Sequence, residues 1–249
     1  MLSKNKSKYI QQLFTKKQRL LNQEFVIEGK KLFEEAVLNN WEIKESFATE
    51  SFISENRELI SQLNIEIATP EELTKAGQLS SNNSVLAIVK TKQNQLTDVH
   101  WETGISLILS DIKDPGNLGT ILRTAAWFGI KNVICSLETV DLYNPKVVQS
   151  SMGAIFNCSV FYTELNSLLE KATKKQLPIY AADLQGDNPT IINGLKNGLL
   201  VLGSESHGVP MDLKKFITNK ICIPQANNSS TESLNVAIAN AILCYEINR

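Results

Sequence analysis

Apolar positions along the chain switch repeatedly between a helical and a strand period. Over residues 9–21, Ile10, Leu13, Phe14, Leu20 and Leu21 recur at helical spacing while Lys16, Lys17 and Arg19 take the other side, which predicts an amphipathic helix with a basic face. A short strand follows in FVIEG, ending at Gly29, then a helix through Leu32, Phe33, Ala36 and Val37 and an extended run over 41–48. The alternation continues with a helix over 53–63, a strand over 65–68, a helix opened by Pro70 and an apolar strand over 85–89. These elements make a small α/β unit. The tract KTKQNQLTDV, residues 90–99, is polar and weakly periodic, so the domain boundary is placed inside it, between 95 and 96.

Beyond the boundary, short apolar strands near 105–109, 132–135, 156–161, 178–182, 198–203 and 220–224 alternate with helical segments, the last over 233–248. Strands of this kind predict a parallel sheet covered on both faces. Ligands of such sheets sit beyond the carboxyl ends of the strands. Three of those ends are distinctive: PGNLG after the first strand, GSESHG after the fifth and PQANNSSTESLN after the sixth. All three are rich in Gly, Ser and Asn, which let backbone groups approach a ligand closely.

Composition narrows the class. A chain of 249 residues with 43% apolar and 20% charged positions is globular. Its start, MLSKNKSK, lacks the apolar core of a signal peptide, and no run approaches the roughly 18 apolar residues of a membrane span, so a cytoplasmic location is expected. Cys135, Cys158, Cys222 and Cys244 are far apart and form no CxxC pair, which predicts reduced thiols and no metal site. The formal charge of −1 hides an asymmetry: residues 1–31 hold eight Lys or Arg against Glu24 and Glu28, a net of +6 that leaves −7 for the remainder. A basic end suits a polyanion or simply keeps a terminus soluble.

The stretch 111–129, DIKDPGNLGTILRTAAWFG, joins a strand end, a turn and a helix. Asn117 stands where an N-cap belongs and Gly129 where a helix closes. Leu118, Ile121, Leu122 and Ala125 form one apolar face, whereas Gly119, Arg123 and Trp127 follow one another at i, i+4 on another. A glycine one turn before a permanent positive charge leaves room for a phosphate or ligand, although an ordinary crossover helix with a solvated arginine has the same pattern. GSESHGVP, residues 203–210, sets two glycines around Glu205 and puts Pro210 at a helix start. His207 lies in that loop without a nucleophilic triad around it, and His100 lies in the linker. Ser229 and Glu232 have capping-box spacing, and Asn235 is a polar amide just before Val236, Ala237, Ile238 and Ala239, so it is either tied to neighbouring loops or aimed at a ligand.

The set resembles a known family. Asn117, Gly119 and Arg123 (NxGxxxR), then Gly203, Glu205 and Gly208 (GxExxG), then SLNVA over 233–237 are similar to the three motifs of the SpoU/TrmH RNA ribose 2'-O-methyltransferases. NPKVVQSSMGAIF, residues 144–156, resembles the same family, with Gln149 where a basic residue is commoner, and FVIEGKKLFEEAV resembles the opening of its substrate-binding domain. The resemblance implies a SPOUT fold: residues 96–249 form a parallel-sheet α/β methyltransferase domain with a C-terminal trefoil knot, a rare exception to the unknotted rule. Residues 1–95 form a small ribosomal-protein-like α/β RNA-binding domain.

It further implies S-adenosyl-L-methionine as cofactor, no metal, a homodimer and a structured RNA substrate, ribosomal or transfer. Leu202, Gly203, Ile223 and Leu234 are the implied cofactor contacts; Arg123, Asn117, Glu205, Ser233 and Asn235 are the implied catalytic set. Lys16, Lys17, Arg19 and Lys30 are the implied RNA contacts. The loop 225–232 departs from the family in lacking its usual Met and Gly. Because a guanidinium is a poor proton acceptor, binding an RNA phosphate and polarising the hydroxyl is the conservative role for Arg123. Two rivals remain at this stage. A non-catalytic RNA-binding or assembly factor of the same fold is disfavoured by the intact Asn117, Arg123 and Asn235, and a nucleotide-dependent oxidoreductase by the absence of GxGxxG after the first strand.

Overall fold

Ser3 opens the chain's first helix by accepting a hydrogen bond from Lys6 N–H, and α1 (Lys4–Gln12) runs until Leu13. A second helix, α2 (Lys16–Asn22), begins only after extended Thr15, so the single helix expected over 9–21 is two. The computed structural model describes residues 2–92, 94–95, 103–204 and 206–249. His100, Trp101 and Glu205 lie outside the described residues, as does half of the expected linker tract 90–99.

The chain divides into two compact units, Met1–Gln93 with Asp141–Phe156, and Asn94–Val140 with Asn157–Arg249. In the first, β1 (Glu24–Glu28) pairs antiparallel with β4 (Val85–Lys90), β4 pairs antiparallel with β2 (Ile43–Ala48), and β2 pairs parallel with β3 (Ile65–Ile67). Between the strands lie α3 (Lys30–Leu38), α4 (Glu50–Glu55), α5 (Arg57–Ile60) and α6 (Pro70–Ala76). The expected helix over 53–63 is thus broken at Asn56, while α6 starts at Pro70 with a reciprocal capping box between Thr69 and Glu72. Ile10 and Leu13 bury into the core with Phe47, Leu73 and Leu86.

Segment 141–156 belongs to this unit although it lies far along the chain. Its helix, α8 (Pro145–Ser151), is followed by a 3-10 turn at Ala154–Phe156. Tyr143 and Phe156 join an aromatic group with Phe25 and Trp41, with ring centroids 4.6 Å apart for Phe25–Tyr143 and 5.1 Å for Trp41–Phe156. Residue 156 was expected to open a strand. The strand begins instead at Ser159.

The second unit is a six-stranded, wholly parallel sheet. Its strands are β5 (Ile105–Leu109), β6 (Asn132–Cys135), β7 (Ser159–Tyr162), β8 (Ile179–Asp187), β9 (Gly198–Leu202) and β10 (Asn219–Ile221), in the order β10-β8-β9-β5-β6-β7. Ile108, Ile134 and Val201 pack with Leu165, Leu168 and Leu169 of α9 (Leu165–Lys174) and with Leu213 of α10 (Met211–Lys214). Leu107, Leu109, Val133 and Cys135 point the other way and are also fully buried, so both faces are covered. The remaining long helices, α7 (Pro115–Trp127) and α11 (Val236–Asn248), pack against each other.

All four cysteines are free thiols. Burial pushes the Cys158 thiol up to about 11 and Cys244 to about 12, which leaves them as inert core groups. No described helix is long and apolar enough to cross a membrane.

Candidate functional site

β5 is the point where the sheet order reverses: the chain moves from it to β6 on one side, and β9 lies on the other. Ligands of open parallel sheets bind at such a point, beyond the carboxyl ends. The two strands stay joined to their ends, with Ser110 N–H donating to Leu202 O at 2.9 Å.

From β5 the chain enters α7. Its N-cap is Asp114, not Asn117: the Asp114 carboxylate accepts from Asn117 N–H at 2.8 Å, and Pro115 takes the first helical position. The Asp-Pro pair is a sequence signal for this cap, because proline suits the first turn and aspartate accepts the orphan donors. Freed from capping, the Asn117 side chain accepts a 3.0 Å hydrogen bond from Asn235 Nδ2. Gly119 is buried. Arg123 is exposed and has no ion pair or hydrogen bond among the described residues. Gly129 has φ +71° and ends the helix as expected.

The loop after β9 folds back on itself. Gly208 N–H donates to Ser204 O at 2.8 Å, and a Cβ on Gly203 would lie 2.0 Å from the Gly208 carbonyl carbon and 2.3 Å from Val209 N. Only glycine fits at 203. Leu202 is buried beneath this crossing, and His207 pairs with the adjacent Ser206 hydroxyl at 2.7 Å on the exposed side.

After β10, Ile223 is half-buried and residues 224–235 are exposed. The expected capping box of Ser229 and Glu232 does not form; Ser229 Oγ accepts from Thr231 N–H instead. α11 starts three residues later than expected, capped by Asn235, whose Oδ1 accepts from Ala237 N–H at 3.0 Å and Ile238 N–H at 3.4 Å. Its amide is therefore used on both sides: the oxygen starts a helix and the nitrogen reaches α7. Ser233 and Leu234 directly precede it, both exposed.

Of the four residues expected to meet RNA, Lys16, Lys17 and Lys30 are exposed on the first unit. Arg19 differs. It is 4% exposed, its guanidinium held by Asp141 Oδ2 at 2.6 Å and by the carbonyls of Leu13 and Phe14 at 3.1 and 2.8 Å. Leu20 and Leu21, expected on the covered side, are 66% and 73% exposed. A buried cation with a full set of acceptors is a structural group, and it turns α2 over relative to the apolar pattern.

Fold and loops together define a parallel α/β domain with Gly-, Ser- and Asn-rich loops beyond the carboxyl edge of its sheet, where ligands of such sheets bind. Residues 104–245 match the SpoU rRNA methylase family and residues 4–87 the MRM3-like substrate-binding domain. The chain is 28% identical over 236 residues to the 23S rRNA (guanosine(2553)-2'-O)-methyltransferase RlmP of Bacillus subtilis, covering 94% of this chain and 92% of the relative. It superposes with a TM-score of 0.85 and 32% identity on a candidate RNA methyltransferase of the TrmH family from Porphyromonas gingivalis, covering 100% of this chain and 98% of the other. An AdoMet-bound rRNA methyltransferase from Sinorhizobium meliloti aligns with a TM-score of 0.83 and 26% identity, over 99% and 96% of the two chains. The protein belongs to the SpoU rRNA methylase family and is an S-adenosylmethionine-dependent RNA methyltransferase.

The residues present fit that cofactor. Residues 224–235, exposed beyond β10, include Leu234, whose 45% exposed aliphatic side chain offers a surface for a purine.

Proposed function

We propose that the protein transfers a methyl group from S-adenosylmethionine to a ribose 2'-hydroxyl of structured RNA, with ribosomal RNA as the substrate class. The observation that carries this is the Asn117–Asn235 hydrogen bond, which ties the first turn of α7 to the start of α11, while Arg123, on the same helix as Asn117, is exposed and makes no ion pair or hydrogen bond among the described residues. The B. subtilis relative is named for 2'-O-methylation of 23S rRNA, which supports the ribosomal reading.

The cofactor supplies an already activated methyl group, so the chain's task is alignment and charge. Main chain at Gly203, Ile223 and Leu234, with Leu202 beneath, holds the adenosine part. Arg123 binds an RNA phosphate and polarises the hydroxyl, since a guanidinium is a poor proton acceptor; the O–CH3 bond forms as the S–CH3 bond breaks, leaving S-adenosylhomocysteine, and the hydroxyl proton passes to solvent water. Asn117, Ser233 and Asn235 orient Arg123 and the ribose, and Glu205 completes the catalytic set. The C-terminal part of the methyltransferase domain is threaded into a trefoil knot.

Residues 1–95 serve as the RNA-binding domain and 96–249 as the methyltransferase domain, with Lys16, Lys17 and Lys30 as RNA contacts and Arg19 as their internal support. The working form is a homodimer in the cytoplasm. Its support is the apolar surface left by two packed helices: Trp127 on α7 is 84% exposed, and Ile238 and Tyr245 on α11 are 51% and 55% exposed.

The test is Arg123→Ala, assayed by mapping 2'-O-methyl sites in ribosomal RNA and by S-adenosylmethionine titration. Lost methylation with retained cofactor binding is expected. Full turnover by the variant, or no site missing from RNA of cells lacking the gene, overturns the reading.

A further inference from the structure

Asp111, the second residue beyond β5, sits in the left-handed region with φ +59°. Non-glycine residues seldom adopt it; Asp and Asn tolerate it best because a short polar side chain can bond locally. Here that bond is made by Ser136, the first residue beyond the neighbouring strand β6. Ser136 Oγ accepts from Asp111 N–H at 2.9 Å and donates to Asp111 Oδ1 at 2.8 Å. Its single proton is then spent. Thr139 Oγ1, 3.1 Å from Ser136 Oγ and 3.3 Å from Leu109 O, is left as the donor to one or the other.

Backbone bonds close the arrangement on both sides. Ser136 N–H donates to Leu109 O and Val140 N–H to Ile112 O, each at 2.9 Å. The strand end 109–112 is thus clamped to 136–140 immediately before α7. Only Ile112, which is 2% exposed, and Lys113 separate Asp111 from the Asp114 cap. A change of φ at Asp111 therefore redirects the first turn of α7, and with it Asn117 and Arg123.

Glycine would take φ +59° at little steric cost but would leave it unspecified. Aspartate specifies it, because its carboxylate and its own N–H grip the same hydroxyl. A sparsely populated conformation held this way beside an active loop points to function.

We propose that Asp111 and Ser136 form a positioning clamp that sets the aim of α7 and thereby of Arg123 during methyl transfer. The clamp touches neither RNA nor cofactor, and the proposal rests on the assignment of Arg123 to the reaction. It is tested on the full chain with S-adenosylmethionine and ribosomal RNA from cells lacking the gene. Turnover at saturating RNA, cofactor Kd and thermal melting are measured for Asp111→Ala, Asp111→Asn, Ser136→Ala and Arg123→Ala.

Asp111→Ala and Ser136→Ala are expected to lower kcat about tenfold or more, because small displacements of a reacting group are costly, while the cofactor Kd stays within about threefold. Asp111→Asn, which tolerates the left-handed conformation and keeps an oxygen acceptor for Ser136, is expected to stay within about threefold of the parent in kcat. Equal loss in Asp111→Asn and Asp111→Ala overturns the clamp, as does a kcat within about twofold for Ser136→Ala in a folded protein. So does a parallel loss of kcat and cofactor affinity. An active Arg123→Ala overturns the Arg123 assignment and the clamp with it; an inactive Arg123→Ala beside a fully active Asp111→Ala overturns the clamp alone.

Discussion

Asn235 Nδ2 donates to Asn117 Oδ1 at 3.0 Å across 118 positions of sequence, and the Asn235 oxygen caps α11 at the same time. One amide thus couples a helix start to the neighbouring helix. Asn235→Ala is expected to cost about 1 kcal/mol through the lost cap. It also releases Asn117 and lowers methylation. In a double-mutant cycle with Asn117→Ala the two losses in activity should be less than additive, as for residues in one network. Strict additivity would remove the coupling.

The backbone crossing at Gly203 makes a sharper demand on one position. A methyl group there would sit 2.0 Å from the Gly208 carbonyl carbon, a contact only main-chain movement can relieve. Gly203→Ala is expected to weaken S-adenosylmethionine binding about tenfold or more while far-UV circular dichroism is unchanged, the loop being local. Calorimetric titration decides it; an unaltered Kd would falsify the placement of the adenosine beside Gly203.

Arg19 and its lysine neighbours should separate cleanly. Arg19→Ala leaves Asp141 without its partner and two carbonyls without donors, a loss of about 3 kcal/mol or more in unfolding free energy. Lys16→Ala and Lys17→Ala, both at exposed sites, should change stability by less than about 0.5 kcal/mol. Their effect is expected in RNA affinity, with a salt slope reduced by about one for each phosphate contact removed. Filter binding across a salt series, beside denaturant melts, reads both.

Glu24 gives the first unit a pH dependence. Burial by itself raises its carboxyl, but hydrogen bonds from Tyr9, Lys44 and Lys90 outweigh burial and hold it below the ordinary carboxylate range. Tyr9 OH lies 2.5 Å from Oε2, and both lysines lie 3.3 Å from Oε1. A carboxyl depressed on folding adds stability above its unfolded value of about 4.3 and loses it as pH falls through the folded value. Glu24→Gln should therefore melt lower than the parent near pH 7, with the gap closing toward pH 3. A gap that widens in acid contradicts the sign.

Trp127, Ile238 and Tyr245 supply the test of assembly. Trp127→Glu places a charge on the apolar surface of α7 and should convert the dimer to a monomer in sedimentation velocity, with far-UV circular dichroism unchanged. A parent chain already monomeric at micromolar concentration would remove the homodimer from the proposal.

Much of the fold was legible because its signals are local. The strands β5, β6 and β9 and the helices α3 and α6 lie where the apolar period and the turn residues put them. The cap of α7 was also local, in Asp114-Pro115, and was assigned three residues late because Asn117 satisfies the same rule. Ser229 and Glu232 show the opposite failure: correct capping-box spacing in a loop that stays non-helical, because Asn235 offers a cap directly before the buried residues Val236 and Ala237.

By itself the sequence determined the order and kind of the elements and the Gly-, Ser- and Asn-rich loops at three strand ends, since residues a few positions apart specify both. Tertiary structure alone decided that Arg19 is inside while Leu20 and Leu21 are outside, because the carboxylate it pairs with lies 122 positions away. It likewise decided that segment 141–156 belongs with the first unit and that Asn117 answers to Asn235. Periodicity reports that a face is covered. What covers it depends on closing long loops, and only the folded chain does that.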